Sequence, residues 1–100
     1  MTRIVYAPES LDDVQAILAY LKERDSELVE KFEADYRKAL ERIRNYPQAW
    51  PKVSGSVRVK IVSKRFPYGI YYEHSKNTVF LAAVIHVARR PARWRRRFRK

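Results

Sequence analysis

Cysteine is absent from the sequence, and the only glycines are Gly55 and Gly69. The first absence excludes disulfides and thiolate metal sites, and the second excludes a glycine-rich loop that cradles phosphate. The longest apolar run, from Val79 to Ile85, is far shorter than a membrane span, and the first six residues lack the apolar core of a signal peptide. We therefore predict one cytoplasmic domain over residues 1–100, with no membrane contact, metal or cofactor.

Acidic residues are scarce in the second half of the chain, where Glu73 is the only one. Residues 1–50 carry 8 Lys and Arg against 10 Asp and Glu, whereas residues 51–100 carry 14 Lys and Arg, eight of them among the last twelve residues. A solvated surface normally mixes its charges, so this segregation predicts an anionic partner, either nucleic acid or an acidic protein. A solubilising tail is the alternative, although it would not require the observed preference for Arg over Lys.

The first half of the chain has the pattern of one short strand and two helices. Residues 3–6 are β-prone, and Ser10 and Asp13 have the spacing of a capping box, which predicts that the first helix begins at Ser10. Apolar residues then recur at helical spacing, with a break at residues 24–26. Pro47 ends the second helix. The short break predicts an antiparallel helical hairpin.

From residue 57 onward the apolar residues follow a period of two, which indicates strands. Strands are predicted at residues 57–61, 68–73 and 78–87, after a loop over residues 47–56. The last of these strands is apolar on both faces, as is typical of a central strand that is covered on both sides. The basic residues that follow predict no more than one or two helical turns.

These elements predict an α+β fold in the order β-α-α-β-β-β. The first strand and the helical hairpin would occupy residues 1–46, and residues 57–88 would complete a mainly antiparallel four-stranded sheet. Residues 89–100 would form a short Arg-rich tail. The hairpin would cover one face of the sheet, and the opposite face would carry the basic residues.

The first candidate site is the basic side of the strand predicted at residues 57–61. Alternation places Arg58 and Lys60 about 7 Å apart on the same side, and Lys64 and Arg65 follow in the next turn. Such a face would bind an extended anion such as RNA or an acidic peptide. A solvated outer face is the alternative interpretation.

The second candidate site surrounds His86, near the end of the last strand. Strict alternation places His86 on the side of Phe80 and Val84. An imidazole beside Arg89 and Arg90 could act as a general acid or base in phosphodiester cleavage, with the guanidinium groups holding phosphate charge. A hydrogen-bonded structural histidine is the alternative.

Two segments resemble toxins of the RelE/ParE superfamily. They are residues 64–72, KRFPYGIYY, and residues 84–94, VIHVARRPARW. Together with the order of the elements and the helix that ends at Tyr46-Pro47, the resemblance covers essentially the whole chain. It is closest to the ParE, or plasmid stabilisation, branch.

The resemblance implies a type II toxin that acts in one of two ways. RelE-like members cut mRNA on the ribosome by means of basic strand residues, whereas ParE-like members inhibit DNA gyrase and are not known to need such a nuclease site. A cognate antitoxin holds each kind of toxin inactive. The implied partners are therefore an acidic antitoxin, in a toxin–antitoxin hetero-oligomer, and either DNA gyrase or the ribosome with its mRNA.

The residue matches favour the ParE-like mechanism. Arg58 and Lys60 fit two basic strand positions of the RelE pattern, and Arg90 fits the basic residue after its last strand. However, Gly69 stands where that pattern has a catalytic Arg. A nuclease that lacked this phosphate-gripping group would lose much of its transition-state stabilisation.

We therefore predict a ParE-like growth inhibitor of DNA gyrase, with a RelE-like, ribosome-dependent mRNA endoribonuclease as the alternative. A plain nucleic-acid-binding module is a third possibility. If the chain is a nuclease, its catalytic residues would be Lys60, His86 and Arg90. Arg65 or Arg89 could then replace the charge missing at position 69. The basic and aromatic residues expected to contact the target or the antitoxin are Arg58, Lys60, Lys64, Arg65, Tyr68, Arg89, Arg90, Trp94 and Arg96.

Overall fold

A computed structural model describes residues 2–88 and 92–98 of the chain. The chain begins with a strand and two long helices, continues with four strands, and ends in a short helix and a 3-10 turn. The elements are β1 (Arg3–Tyr6), α1 (Pro8–Arg24), α2 (Glu27–Asn45), β2 (Lys52–Ser54), β3 (Val57–Ile61), β4 (Tyr68–Ser75), β5 (Thr78–His86), α3 (Ala92–Arg95) and the 3-10 turn Arg96–Phe98. Within the described residues, neither long helix has the length and hydropathy needed to cross a membrane.

The strands form one mixed sheet in the order β1-β5-β4-β3-β2. β1 pairs with β5 in parallel, because the helical hairpin carries the chain across the sheet between them, and the other pairs are antiparallel. The predicted α+β class is confirmed, but the sheet has five strands rather than four. The additional strand, β2, lies within the predicted loop and joins β3 in a hairpin. Gly55 supplies the left-handed backbone of that hairpin, with φ of 54°.

The predicted capping box at the start of α1 is wrong. α1 begins at Pro8, two residues before Ser10, because proline has the φ of the first helical turn and needs no N–H partner there. Ser10 is buried inside that turn, and its hydroxyl donates a hydrogen bond of 2.6 Å to the carbonyl of Ala7. The predicted break between the helices and the end of α2 before Pro47 are both confirmed.

The helical hairpin covers one face of the sheet and encloses the larger core. Phe32 of α2 packs edge-on against Phe66 and Tyr68, with ring centroids 5.4 and 5.8 Å apart. Tyr72 of β4 is also buried, and its hydroxyl donates a 2.8 Å hydrogen bond to the carbonyl of Pro47. Burial of each such aromatic side chain contributes about 1.5–3 kcal/mol. This face therefore holds both helices and the loop after α2 against the central strands.

The opposite face of the sheet is also apolar, and the end of the chain covers it. Trp94 of α3 stacks on Tyr71 with ring centroids 4.7 Å apart, and Phe98 contacts the edge of Trp94 at 6.4 Å. The prediction that this outer face carries the basic residues is therefore wrong. The valines of β3 face outward and pack in the apolar cluster on that side. The residues that alternate with them, Arg58 and Lys60, therefore lie on the helix side of the sheet, close to the end of α2.

A β-bulge in β5 changes which face each of its residues occupies. Tyr71 pairs with Ala83 whereas the next residue, Tyr72, pairs with Leu81, so Ala82 is an extra residue on β5. Alternation restarts after the bulge. His86 therefore lies on the helix side of the sheet with Val84, and the expectation that it shares a face with Phe80 is wrong.

One carboxylate, that of Asp13 on α1, holds this bulge and the end of the chain in place. Asp13 accepts a 2.9 Å hydrogen bond from the backbone N–H of Val84 and forms a two-pronged ion pair with Arg97, at 2.5 and 3.1 Å. Arg97 also donates to the carbonyl of Ala82, at 3.0 Å. The carbonyl of the extra residue Ala82, and the N–H of Val84, which lies beyond the last β1–β5 pair, thus gain side-chain partners.

Replacement of Asp13 tests this arrangement. Asp13→Ala should lower the free energy of unfolding by about 2–3 kcal/mol, because it leaves a backbone N–H and a half-buried guanidinium without their acceptor. Asp12→Ala removes the same charge from an exposed neighbour and should change stability by less than about 0.5 kcal/mol. Urea denaturation of both variants makes the comparison, and equal losses would contradict the assignment.

Candidate functional site

A groove runs along α1, between that helix and the turn before β4, and we call it the α1 groove. Its main part has a volume of about 580 Å³, and a smaller extension of about 140 Å³ leads to the Asp13–Arg97 ion pair. Both parts share Ala16, Ile17, Tyr68 and His86, so the groove is continuous. The remaining walls of its main part are Tyr20, Leu21, Arg24, Leu28, Arg65, Phe66 and Pro67.

The α1 groove combines an apolar floor with cationic groups at its edge. Arg24 extends along α1 beside Tyr20, with its guanidinium carbon 5.6 Å from the centre of that ring. Arg65 also lines this part of the groove. A surface with an apolar floor and a cationic edge can bind an amphipathic segment of a partner.

Arg65 is not a free cation, because it pairs with a carboxylate of α2. Its Nε and Nη2 atoms donate hydrogen bonds of 2.9 and 3.2 Å to Asp35. Chiefly through this pair, and with the help of the Ser63 hydroxyl, the pKa of Asp35 lies below its ordinary value although burial opposes the shift. The pair therefore stabilises the fold at pH values above the ordinary pKa of a carboxyl group. This contribution is lost as the pH falls and Asp35 becomes protonated.

His86 makes contacts within the protein that fix its ring. Nδ1 accepts a 3.1 Å hydrogen bond from the backbone N–H of Ala88, and the ring packs edge-on against Tyr68 at 5.2 Å. These contacts support the interpretation of His86 as a structural histidine. Its ring also lines the α1 groove, so a bound partner would touch it.

Lys60 lies elsewhere, in the wall of a second cavity of about 280 Å³ between α2 and β3, which we call the α2 pocket. Arg58 is on the same side of the sheet but does not line this pocket. Arg58 donates hydrogen bonds to the carbonyls of Gln48 and Trp50, at 3.1 and 2.7 Å. The Lys60 ammonium lies 4.4 Å from the centre of the Trp50 ring and donates to the carbonyl of Ile61 at 3.0 Å. Burial, and to a smaller extent the charge of Arg42, lowers the pKa of Lys60.

The structure places two of the proposed nuclease residues, Lys60 and His86, on different strands. Lys60 pairs with Ile70, which pairs with Val84, whereas His86 pairs with Tyr68. Two strand spacings and two residues along the strand separate the Cα atoms of Lys60 and His86 by roughly 12 Å. The third residue of this set, Arg90, lies outside the described residues, and so does Arg89.

The other predicted binding residues are divided between the surface and the core. Lys64 and Arg96 are exposed. Trp94 is only 5 % exposed and belongs to the core of the outer face, so its indole is not an exposed contact surface. Sequence reasoning missed Arg97, because no spacing rule links it to Asp13, which is 84 residues away.

The sequence profile of the ParE toxin family of the type II toxin–antitoxin system parDE matches residues 4–91. The chain belongs to the ParE toxin family. It is therefore a type II toxin, and the family implies an antitoxin as its partner. The predicted membership of the RelE/ParE superfamily and of its ParE branch is confirmed.

The fold of this ParE-family toxin is also found in a solved structure. A chain of the chromosomal ParDE TA system from P. aeruginosa superimposes with a TM-score of 0.63 and 15 % identity, covering 87 % of this chain and 97 % of that one. At this identity the likeness shows the fold alone. No curated protein matches the sequence.

Gly69 of this ParE-family toxin occupies a position that has no room for a side chain. A Cβ atom there would lie 2.9 Å from Tyr71 Cε1 and 2.9 Å from Val59 Cγ2. The catalytic Arg of the RelE pattern could enter this position only if the ring of Tyr71 and the stacked Trp94 moved. The packing of the outer face thus leaves no room for an Arg at position 69.

Substitution of Gly69 tests this packing. Gly69→Ala should lower the free energy of unfolding by about 1–3 kcal/mol, because the added methyl group overlaps two packed side chains. Combined with Val59→Ala, which removes one of those side chains, it should cost less than the sum of the two single changes. Chemical denaturation of the three variants measures this, and an unchanged stability of Gly69→Ala would contradict it.

Proposed function

We propose that this ParE-family toxin inhibits bacterial growth by binding DNA gyrase in the cytoplasm and does not cut RNA. The observation that carries the proposal is the separation of Lys60 from His86, together with the closed position at Gly69. An inhibitor that acts by contact requires neither a general base nor a phosphate-gripping Arg. A nuclease requires both within reach of one phosphodiester.

The contacts of Lys60 and His86 support the same conclusion. A general acid and a general base must each come within about 3 Å of the reacting atoms. The Lys60 ammonium is held over Trp50 beside α2, and the His86 ring is held against Tyr68 beside α1. Tyr68 and the aromatic core around Phe32 occupy the helix side of the sheet between the two. In these conformations the two groups face different cavities, which supports inhibition by contact over cleavage.

The alternative, a RelE-like endoribonuclease, retains one favourable observation. Arg65 lines the same groove as His86, so a cation and an imidazole do face one cavity. However, that Arg65 is bound to Asp35, which reduces its capacity to neutralise phosphate. The primer-extension experiment below therefore tests this alternative as well.

A supercoiling assay with purified toxin and gyrase tests the proposal. Wild-type toxin should inhibit supercoiling at micromolar concentration, and His86→Ala should change the inhibitory concentration by no more than about threefold, because the imidazole performs no chemistry. Primer extension on translated mRNA should show no new cuts. Unchanged supercoiling at micromolar toxin, or cuts within codons that disappear in Lys60→Ala, would overturn it.

The α1 groove is the proposed site for the antitoxin. Its apolar floor and the guanidinium of Arg24 match an acidic amphipathic segment, whereas Arg65 lines the same groove but is paired with Asp35. Leu28 and Tyr20, which are partly exposed at the wall, would contact the apolar side of that segment. Binding there would also cover His86.

Charge reversal at the edge of the groove tests this site. Arg24→Glu should weaken binding of the co-expressed cognate antitoxin by about tenfold or more in low salt, because attraction becomes repulsion at the groove. Arg37→Glu makes the same change at an exposed position of α2 outside the groove, and should change affinity by less than about threefold. Equal losses in the two variants, measured by calorimetry, would show that only net charge matters.

A further inference from the structure

The α2 pocket gathers positive charge that neither proposal above uses. Lys38 and Arg42 of α2 and Lys60 of β3 line it, and Ala39 and Val62 form an apolar base. Lys38 and Arg42 are four residues apart, so they project from the same face of the helix. Three cationic side chains from two elements thus border one cavity of about 280 Å³.

The carboxylate on the wall of the pocket is already engaged. Asp35 directs both of its oxygens to Arg65, which does not line the pocket. In the part of the chain that the structure describes, the ion pairs join Arg65 to Asp35, Arg97 to Asp13 and Arg44 to Glu41. Lys38, Arg42 and Lys60 belong to none of these pairs. Asp35 is attracted by the charge of Lys38 at longer range, but among the described residues no carboxylate forms an ion pair with any of the three cations.

Two of the three cations contact the ring of Trp50. The Lys60 ammonium lies 4.4 Å from the centre of its ring, and the guanidinium carbon of Arg42 lies 5.8 Å from the same point. The pKa of Lys60 is lowered chiefly by burial and to a smaller extent by the charge of Arg42, and this second cause is a repulsion between the two cations. An anion in the pocket would relieve it.

We propose that the α2 pocket binds a phosphate group, either free phosphate or the phosphoryl end of a small phosphate ester. The guanidinium of Arg42 offers two parallel donors to phosphate oxygens, and the two ammonium groups add compact charges. The cavity volume admits phosphate with a small organic group. A nucleic-acid strand would instead need an extended groove with exposed aromatic faces, whereas the ring of Trp50 already contacts Lys60 and Arg42.

Titration of the purified full-length toxin with inorganic phosphate tests the proposal. At constant ionic strength set with chloride, calorimetry should show saturable binding with a Kd of about 1 mM or below. Bound phosphate should raise the melting temperature, and amide NMR shifts should fall on residues of α2 and β3. Binding of glycerol phosphate more tightly than phosphate would identify an ester as the ligand, and the reverse order would identify free phosphate. Both results support a phosphate site.

Three variants locate the binding. Arg42→Gln and Lys60→Met should each weaken phosphate binding by about tenfold or more. Lys60→Met keeps the apolar stem against Trp50, so the fold is retained. Arg37→Gln, which removes a charge from an exposed position of α2 outside the pocket, should change the Kd by less than about twofold.

Three results would overturn the proposal. The first is the absence of saturation at 10-fold the expected Kd, and the second is an equal loss of binding in Arg37→Gln and Arg42→Gln, which would indicate general screening of charge. The third is binding of acetate or of a single-stranded oligonucleotide as tightly as phosphate, with the same dependence on Arg42. That result would assign the pocket to carboxylates or to nucleic acid. None of these outcomes depends on whether the toxin inhibits gyrase.

Discussion

The carboxylate of Asp13 is the interaction on which the arrangement of this ParE-family toxin depends. It lies where α1 crosses β5 and joins three parts of the chain: the helix, the backbone N–H of Val84 after the bulge, and the guanidinium of Arg97. The bulge leaves Ala82 unpaired, and the N–H of Val84 lies beyond the last β1–β5 pair; such backbone groups are costly when they are buried without a partner. Asp13 and Arg97 together supply those partners.

Two consequences for function follow from this contact. The bulge turns His86 toward α1, so the imidazole lines the α1 groove and does not belong to a basic sheet face. Arg97 holds the 3-10 turn so that Trp94 and Phe98 cover the outer face. The apolar side chains of β3 then point outward, and Arg58 and Lys60 must point toward α2. Among the described residues, the cations of the strands and turns are therefore divided between separate cavities, with Arg65 at the α1 groove and Lys60 at the α2 pocket.

The sequence predicted where the helices and strands lie better than it predicted which face of the sheet each side chain occupies. The helices, their break and strands β3, β4 and β5 follow from periodicity and from Pro47, which are local signals. β2 was missed because it is three residues long and its pairing with β3 is irregular. The face of His86 could not be predicted, because one extra residue in β5 reverses the alternation and leaves no mark in an apolar run. The Asp13–Arg97 pair joins residues that only the completed sheet brings together.

The candidate site was predicted in part for the same reason. The basic and aromatic residues singled out do border cavities, as Arg65, Tyr68, His86 and Lys60 show, but they border two different ones. In the described part of the chain, apolar layers cover both faces of the sheet, and the two cavities lie at margins where a helix meets the sheet. Lys60 borders one of these margins and His86 borders the other, with the aromatic core around Phe32 on the same side of the sheet. Binding to two partners through separate margins is compatible with that construction.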